Sequence, residues 1–395
     1  MKICAAVVGV GFVIGATLAF AQEQDVKPWG LSMRAGGVYT DNRDGLKNDK
    51  EHNLDLFVEP RGDLFWRDGD RTLLDFFVAP QIKWHSNPRT VQEGDPQHDT
   101  DLFGAAGLDL AHRFTPLVSA KVGDAIIYNN DPEITDNGTS VRSSDNHVLN
   151  TAYADLLVGL TPKLQADLSG HDVIKRYSDK TVAADEDEDD WDGQAKLAYL
   201  VDSGLNVYAL GGYSEFRNKS TERERGSRVW TGDLGVEKTF NPDLVADLAA
   251  GYQTASFDDA TLDSQSSMNA RGNVTLRGSS DTRFRLGAIY GLASPSVRPY
   301  SLQKTTSFIG SVEHDLLPKR LTVNAHAQYT EGKYVAETDT LRGGKDKMTA
   351  VGAGVSYWIN RNFSVNANYN FEHWNSDVRE SFDRNTVDVG VMAKL

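Results

Sequence analysis

Phe363-Ser364-Val365-Asn366-Ala367-Asn368-Tyr369-Asn370-Phe371-Glu372 alternates apolar and polar side chains without a break. Successive side chains of a strand point to opposite faces, so this stretch builds a strand with one greasy and one polar face. A helix would need apolar residues three and four apart, and no such stripe competes. The same two-residue period runs through Leu321, Val323, Ala325, Ala327 and Tyr329 against Thr322, Asn324, His326 and Gln328. It returns in Met268, Ala270, Gly272, Val274 and Leu276 against Asn269, Arg271, Asn273, Thr275 and Arg277. A further instance, Val387 to Leu395, runs to the last residue.

The links between such stretches alternate in length. Short ones occur at Arg67-Asp68-Gly69-Asp70, Thr115-Pro116, Thr161-Pro162-Lys163, Asp202-Ser203-Gly204, Asn241-Pro242-Asp243, Gly278 to Asp281, Leu317-Pro318-Lys319 and Asn360-Arg361-Asn362. Each supplies Gly, Pro, Asn or Asp where the backbone reverses. Longer polar links lie between them, such as Thr40 to Glu51, Ser86 to Asp99, Asn129 to Asn146, Ser178 to Asp189 and Val335 to Lys347. Short turns at one end and long loops at the other are the pattern of membrane β-barrels. About eight short and nine long links predict an all-β, antiparallel, up-and-down transmembrane barrel of about 18 strands, with both termini at the periplasmic end. A soluble sandwich shares the alternation of side chains but has no reason to alternate its links.

Lys2 precedes an apolar run from Ile3 to Phe20 that ends in Ala19-Phe20-Ala21 before Gln22. This predicts a cleaved secretory signal over residues 1–21 and a single barrel domain over 22–395. Cys4, the only cysteine, leaves with the leader, so neither disulfides nor thiolate chemistry is expected. No later run approaches the ~20 apolar residues of a membrane helix, and mean hydropathy is −0.44. A barrel accommodates that value because half of each strand faces a polar interior. With 56 acidic against 41 basic residues the net charge is −15, which argues against nucleic acid as a partner. Tyr128, Tyr213, Trp230, Tyr252, Tyr290, Tyr329 and Tyr369 are placed toward the loop ends, and Phe114, Phe240 and Phe363 toward the turns, as two interfacial girdles.

The stretch Ser356-Tyr357-Trp358-Ile359-Asn360-Arg361-Asn362-Phe363-Ser364-Val365, followed by Asn368-Tyr369 and Val387-Asp388-Val389-Gly390-Val391, resembles the C-terminal hairpins of the putative β-barrel porin 2 family. The resemblance implies an integral barrel of the Gram-negative outer membrane, in a family some of whose members are encoded beside exopolysaccharide synthesis and export. It carries barrel geometry and no catalytic residue. Leu395 departs from the terminal aromatic by which many such barrels are recognised by the outer-membrane assembly machinery. The partners expected of such a barrel are that machinery, outer-membrane lipid with lipopolysaccharide, and polysaccharide as cargo.

Enzymatic outer-membrane barrels need carboxylate or Ser-His constellations within hydrogen-bond reach. His52, His85, His98, His147, His171 and His373 are scattered, and none accompanies a nucleophile motif, so no enzyme, catalytic residue, cofactor or metal site is expected. The run Asp185-Glu186-Asp187-Glu188-Asp189-Asp190 reads as a solvated outer loop, with divalent-cation bridging to anionic surface sugar or lipid phosphate as its alternative.

On the polar face, Arg271, Arg277, Arg283 and Arg285 form a lumen-lining basic cluster across two strands joined at Gly278 to Asp281. Asp233, Glu237 and Asp247 lie on neighbouring strands. Either the arginines line a water-filled path for acidic solutes, or they pair with those carboxylates and fill the interior. Three functions remain open: a pore for polysaccharide or other polar solutes, a general diffusion porin, and a closed structural or adhesive barrel acting through its outer loops.

Overall fold

The computed structural model describes residues 28–48, 50–87, 99–129, 133–134, 140–141, 146–218, 226–279, 281–295, 300–335, 343–378 and 380–395. The expected leader and His98 lie outside these residues.

The first five strands are β1 (Trp29–Thr40), β2 (Asn53–Asp68), β3 (Thr72–His85), β4 (Thr100–Thr115) and β5 (Val118–Asn129). A two-residue pair, β6 (Glu133–Ile134) and β7 (Ser140–Val141), lies in the following loop. Next come β8 (His147–Thr161), β9 (Leu164–Tyr177), the short helix α1 (Lys180–Glu186), β10 (Glu188–Asp202), β11 (Leu205–Asn218), β12 (Ser227–Asn241) and β13 (Leu244–Phe257). The last seven are β14 (Gln265–Ser279), β15 (Thr282–Ala293), β16 (Leu302–Leu317), β17 (Leu321–Val335), β18 (Lys345–Trp358), β19 (Phe363–Ser376) and β20 (Phe382–Lys394).

All but β6 and β7 join one 18-stranded antiparallel sheet in chain order. The ring closes where β1 pairs with β20, from Ser32↔Lys394 to Thr40↔Thr386. Closure removes both free edges, which a sheet in hydrocarbon cannot leave unpaired.

Seven of the eight expected short turns are described in full, β14 and β15 flank the eighth, and local chemistry makes them. The Asn241 carboxamide oxygen accepts from the N–H groups of Asp243 and Leu244, both at 2.9 Å. Asn360 does the same for Asn362 at 2.8 Å and Phe363 at 2.9 Å. Gly69 and Gly204 supply positive φ of 50° and 77°. Lys319 adopts φ 61°, a conformation that costs a residue with a Cβ.

Side-chain alternation sorts wall from lumen. On β12, Trp230, Leu234 and Phe240 point out and are exposed, while Asp233 between them points in and is buried. Trp191, Tyr213 and Trp230 lie tilted against one another around the outside, with centroids 5.6 and 4.7 Å apart. Tyr252 and Tyr329 continue this belt as exposed rings, and Phe114, Phe240 and Phe363 are exposed at the turn end. Tyr369 departs from the expectation, standing at mid-strand in β19.

The acidic run is also corrected. Only its first half leaves the sheet, because β10 begins at Glu188. The cause is register: Glu188 sits opposite Lys175 on β9 and pairs with it at 2.7 Å, and Arg176 pairs with Asp189. Asp187 accepts the Tyr177 N–H at 2.9 Å. Among the described residues no three metal-ligating side chains converge.

Two measurements check this architecture. A cysteine introduced at Lys180 should react with a membrane-impermeant maleimide on whole cells, and one at Asp243 should not; the reverse pattern inverts the orientation. Lys319→Gly should raise the unfolding free energy by about 1 kcal/mol in a detergent refolding titration, since it relieves the positive φ.

Candidate functional site: the lumen

The four arginines all face inward, as the alternation requires, but they do not form one cluster. Arg277 stands directly across from Arg283, and Arg285 across from Thr275. These three gather near the short turn joining β14 and β15. Arg271 is six residues farther along β14, about 20 Å away.

Their partners differ. Arg283 pairs with Glu313 on β16, a carboxylate that sequence reasoning missed because the pair exists only through the register Arg283↔Glu313. Arg271 lies over the Tyr208 ring, 6.0 Å from its centroid. The Tyr208 hydroxyl donates to Asp247 at 2.6 Å, so Arg271 and Asp247 share one aromatic intermediary. Tyr208 can lie against the wall because its neighbour is Gly235; a Cβ there would fall 2.2 Å from the ring. Asp233 accepts from Asn269 at 2.7 Å, and Glu237 accepts from Asn206 at 3.2 Å with Lys196 at 3.8 Å.

The three expected carboxylates are thus engaged elsewhere or indirectly. Arg277 and Arg285 are exposed in the lumen, and neither has an ion-pair partner among the described residues. Arg283, which faces Arg277, is balanced by Glu313, so the uncompensated charges are Arg277 and its diagonal neighbour Arg285, whose repulsion is about 1 kcal/mol in water and far more in a dry interior. Their geometry is therefore that of a wet wall. A recess of about 140 Å³ opens beside it, lined by Arg283, Arg285, Ser311, Glu313, Asn324 and His326.

Half-way round the ring, β4 opposes β15, and its side of the lumen is acidic. Asp75 and Asp109 face each other across β3 and β4. Lys121 lies 3.7 Å from Asp109, which also accepts a hydrogen bond from Tyr153. Asp155 stands opposite Lys121, and Asp167 follows on β9. A basic wall thus looks across the lumen at an acidic one.

At the long-loop end, residues of β15 and β16 lean into the lumen. The β14–β15 ladder stops at Ala270↔Tyr290, above which β15 turns into the lumen. The Leu292 N–H donates to the Gln253 side chain on β13 at 2.7 Å, crossing over β14. Leu292 and Leu302 pack with the inward-facing Val229 and Ala255. Ser294 reaches across to donate to Asp190 on β10 at 3.1 Å. Tyr300 stacks on Tyr334 with centroids 4.4 Å apart. The described ends of β15 and β16, from Leu292 to Ser294 and from Tyr300 to Leu302, therefore lean into the mouth. Asp190, expected in a solvated loop, is one of their anchors.

Residues 178–395 match the family described as putative β-barrel porin 2. No curated protein matches the chain in sequence. Among solved structures it is similar to Pseudomonas aeruginosa OpdK with vanillate, at 13% identity and TM-score 0.51, covering 93% of this chain and 99% of that one. A BenF-like porin from Pseudomonas fluorescens is similar at 13% identity and TM-score 0.50, covering 94% of this chain and 100% of the other. Pseudomonas aeruginosa OccK9 gives 12% identity and TM-score 0.50, with 94% and 100% covered. These likenesses show a shared fold. With the closed ring and the two-faced strands, the match over more than half its length makes this chain a member of the putative β-barrel porin 2 family, an integral barrel of the outer membrane.

Proposed function

We propose that the barrel conducts small acidic solutes, acidic sugars and units of anionic polysaccharide among them, along the Arg277, Arg283 and Arg285 wall. One observation carries this reading: Arg277 and Arg285 are exposed to the lumen with no carboxylate partner among the described residues. A passing carboxylate can take the bidentate place that a protein carboxylate would otherwise fill. The facing acidic wall keeps the solute's negative groups on the arginine side, so charge sets its orientation as well as its entry.

In planar bilayers under a salt gradient, Arg277→Ala/Arg285→Ala should shift the reversal potential toward cations, lowering the anion-to-cation permeability ratio roughly two- to fivefold. An unchanged potential contradicts the role given to this wall.

A second reading, a barrel closed at its outer mouth, draws on the inward hairpin. Two bonds hold the hairpin's end, from Leu292 to Gln253 and from Ser294 to Asp190. Gln253→Ala/Ser294→Ala removes both, at about 1 kcal/mol each. If the hairpin narrows a conducting path, single-channel conductance rises in the variant. A silent wild type that conducts only in this variant would establish the closed reading.

A further inference from the structure

The outside of the barrel carries a second charge feature. On β17 and β18, Lys333 stands directly across from Lys345, and Glu331 across from Lys347. All three lysines are exposed on the outward face. Lys347 lies two residue positions beyond the level of Tyr329 and the Lys333–Lys345 pair four, about 7 and 13 Å along the strand toward the long loops. That is the level at which headgroups meet the barrel above its aromatic belt. Lys304 on β16 is the next residue in register with Lys333.

Charge is unevenly matched here. Glu331 is shared, 3.9 Å from both Lys345 and Lys347, and also accepts from the Tyr329 hydroxyl at 3.2 Å. The Asp377 carboxylate is spent on the Lys345 backbone N–H at 3.2 Å. Lys333 has no ion-pair partner among the described residues. Elsewhere on the rim, guanidiniums are matched closely: Arg228 with Asp258 at 2.7 Å, Arg217 with Glu215 at 2.8 Å, Arg43 with Glu51 at 2.6 Å. Like charges directly opposite on a sheet destabilise it, so this row in an otherwise acidic chain calls for an external anion.

We propose that Lys333, Lys345 and Lys347 bind the phosphates of lipopolysaccharide in the outer leaflet. The height above the tyrosine belt, the lateral outward position and the excess of ammonium groups together match a phosphorylated lipid headgroup. The site holds whatever the lumen conducts, since none of its residues faces inward.

The test uses the full-length barrel purified in mild detergent and native mass spectrometry with three probes: lipopolysaccharide, the same lipid enzymatically dephosphorylated, and phosphatidylglycerol. Wild type should retain lipopolysaccharide and release both other lipids more readily. Lys333→Gln/Lys345→Gln/Lys347→Gln should weaken retention about tenfold or more. Lys163→Gln/Lys319→Gln, at the opposite end, should change nothing. Equal retention of phosphorylated and dephosphorylated lipid by wild type overturns the proposal without any variant. Equal retention by the triple variant, or of phosphatidylglycerol by wild type, overturns the site or its commitment to lipopolysaccharide.

Discussion

Every part of this structure depends on the pairing of β1 with β20. A backbone N–H or C=O left open in hydrocarbon costs several kcal/mol, so a membrane sheet must either close or leave the membrane. The ladder from Ser32↔Lys394 to Thr40↔Thr386 achieves closure. Once the ring is closed, strand geometry does the rest: along the membrane span one face meets lipid, the other is sequestered with water, and outward charges such as Lys333, Lys345 and Lys347 stand beyond the aromatic belt. The modest hydropathy of the chain follows from this division of faces.

Inside the ring, charge is distributed rather than averaged. Where a positive group has a partner in register, as Arg283 has Glu313, the wall is neutral and structural. Where it has none among the described residues, as at Arg277 and Arg285, the lumen carries a free field. On the far side Asp75 faces Asp109, which has Lys121 at 3.7 Å. The inward end of β15 sits toward the long loops and is held by polar contacts at Leu292 and Ser294, with apolar packing behind them. On the proposed reading, such an arrangement puts selectivity near the turns and access control near the loops.

Much of the fold was legible because its signals are local. Phe363 to Glu372 reads as a strand from its own alternation, and Asn241 or Asn360 reads as a turn from its own side chain. The inward direction of the four arginines followed from parity alone. What parity cannot reveal is which residue of the next strand stands opposite, because a long loop between two strands does not specify their register. Glu313 as the partner of Arg283, and the meeting of Asp75 with Asp109, were hidden for that reason. Asp190 was misplaced in a loop because six successive acids look solvated until Lys175 and Arg176 arrive beside them from β9. Its bond to Ser294 spans 104 residues of sequence and no pattern announces it.

The central claim is that this outer-membrane barrel carries acidic solutes along an arginine wall. Its most direct test is efflux from proteoliposomes loaded with two disaccharides of equal size, one bearing a uronic acid and one neutral. The account predicts faster release of the acidic sugar, with the difference shrinking as salt screens the wall. Equal rates, or no release of either sugar from properly folded protein, would contradict it.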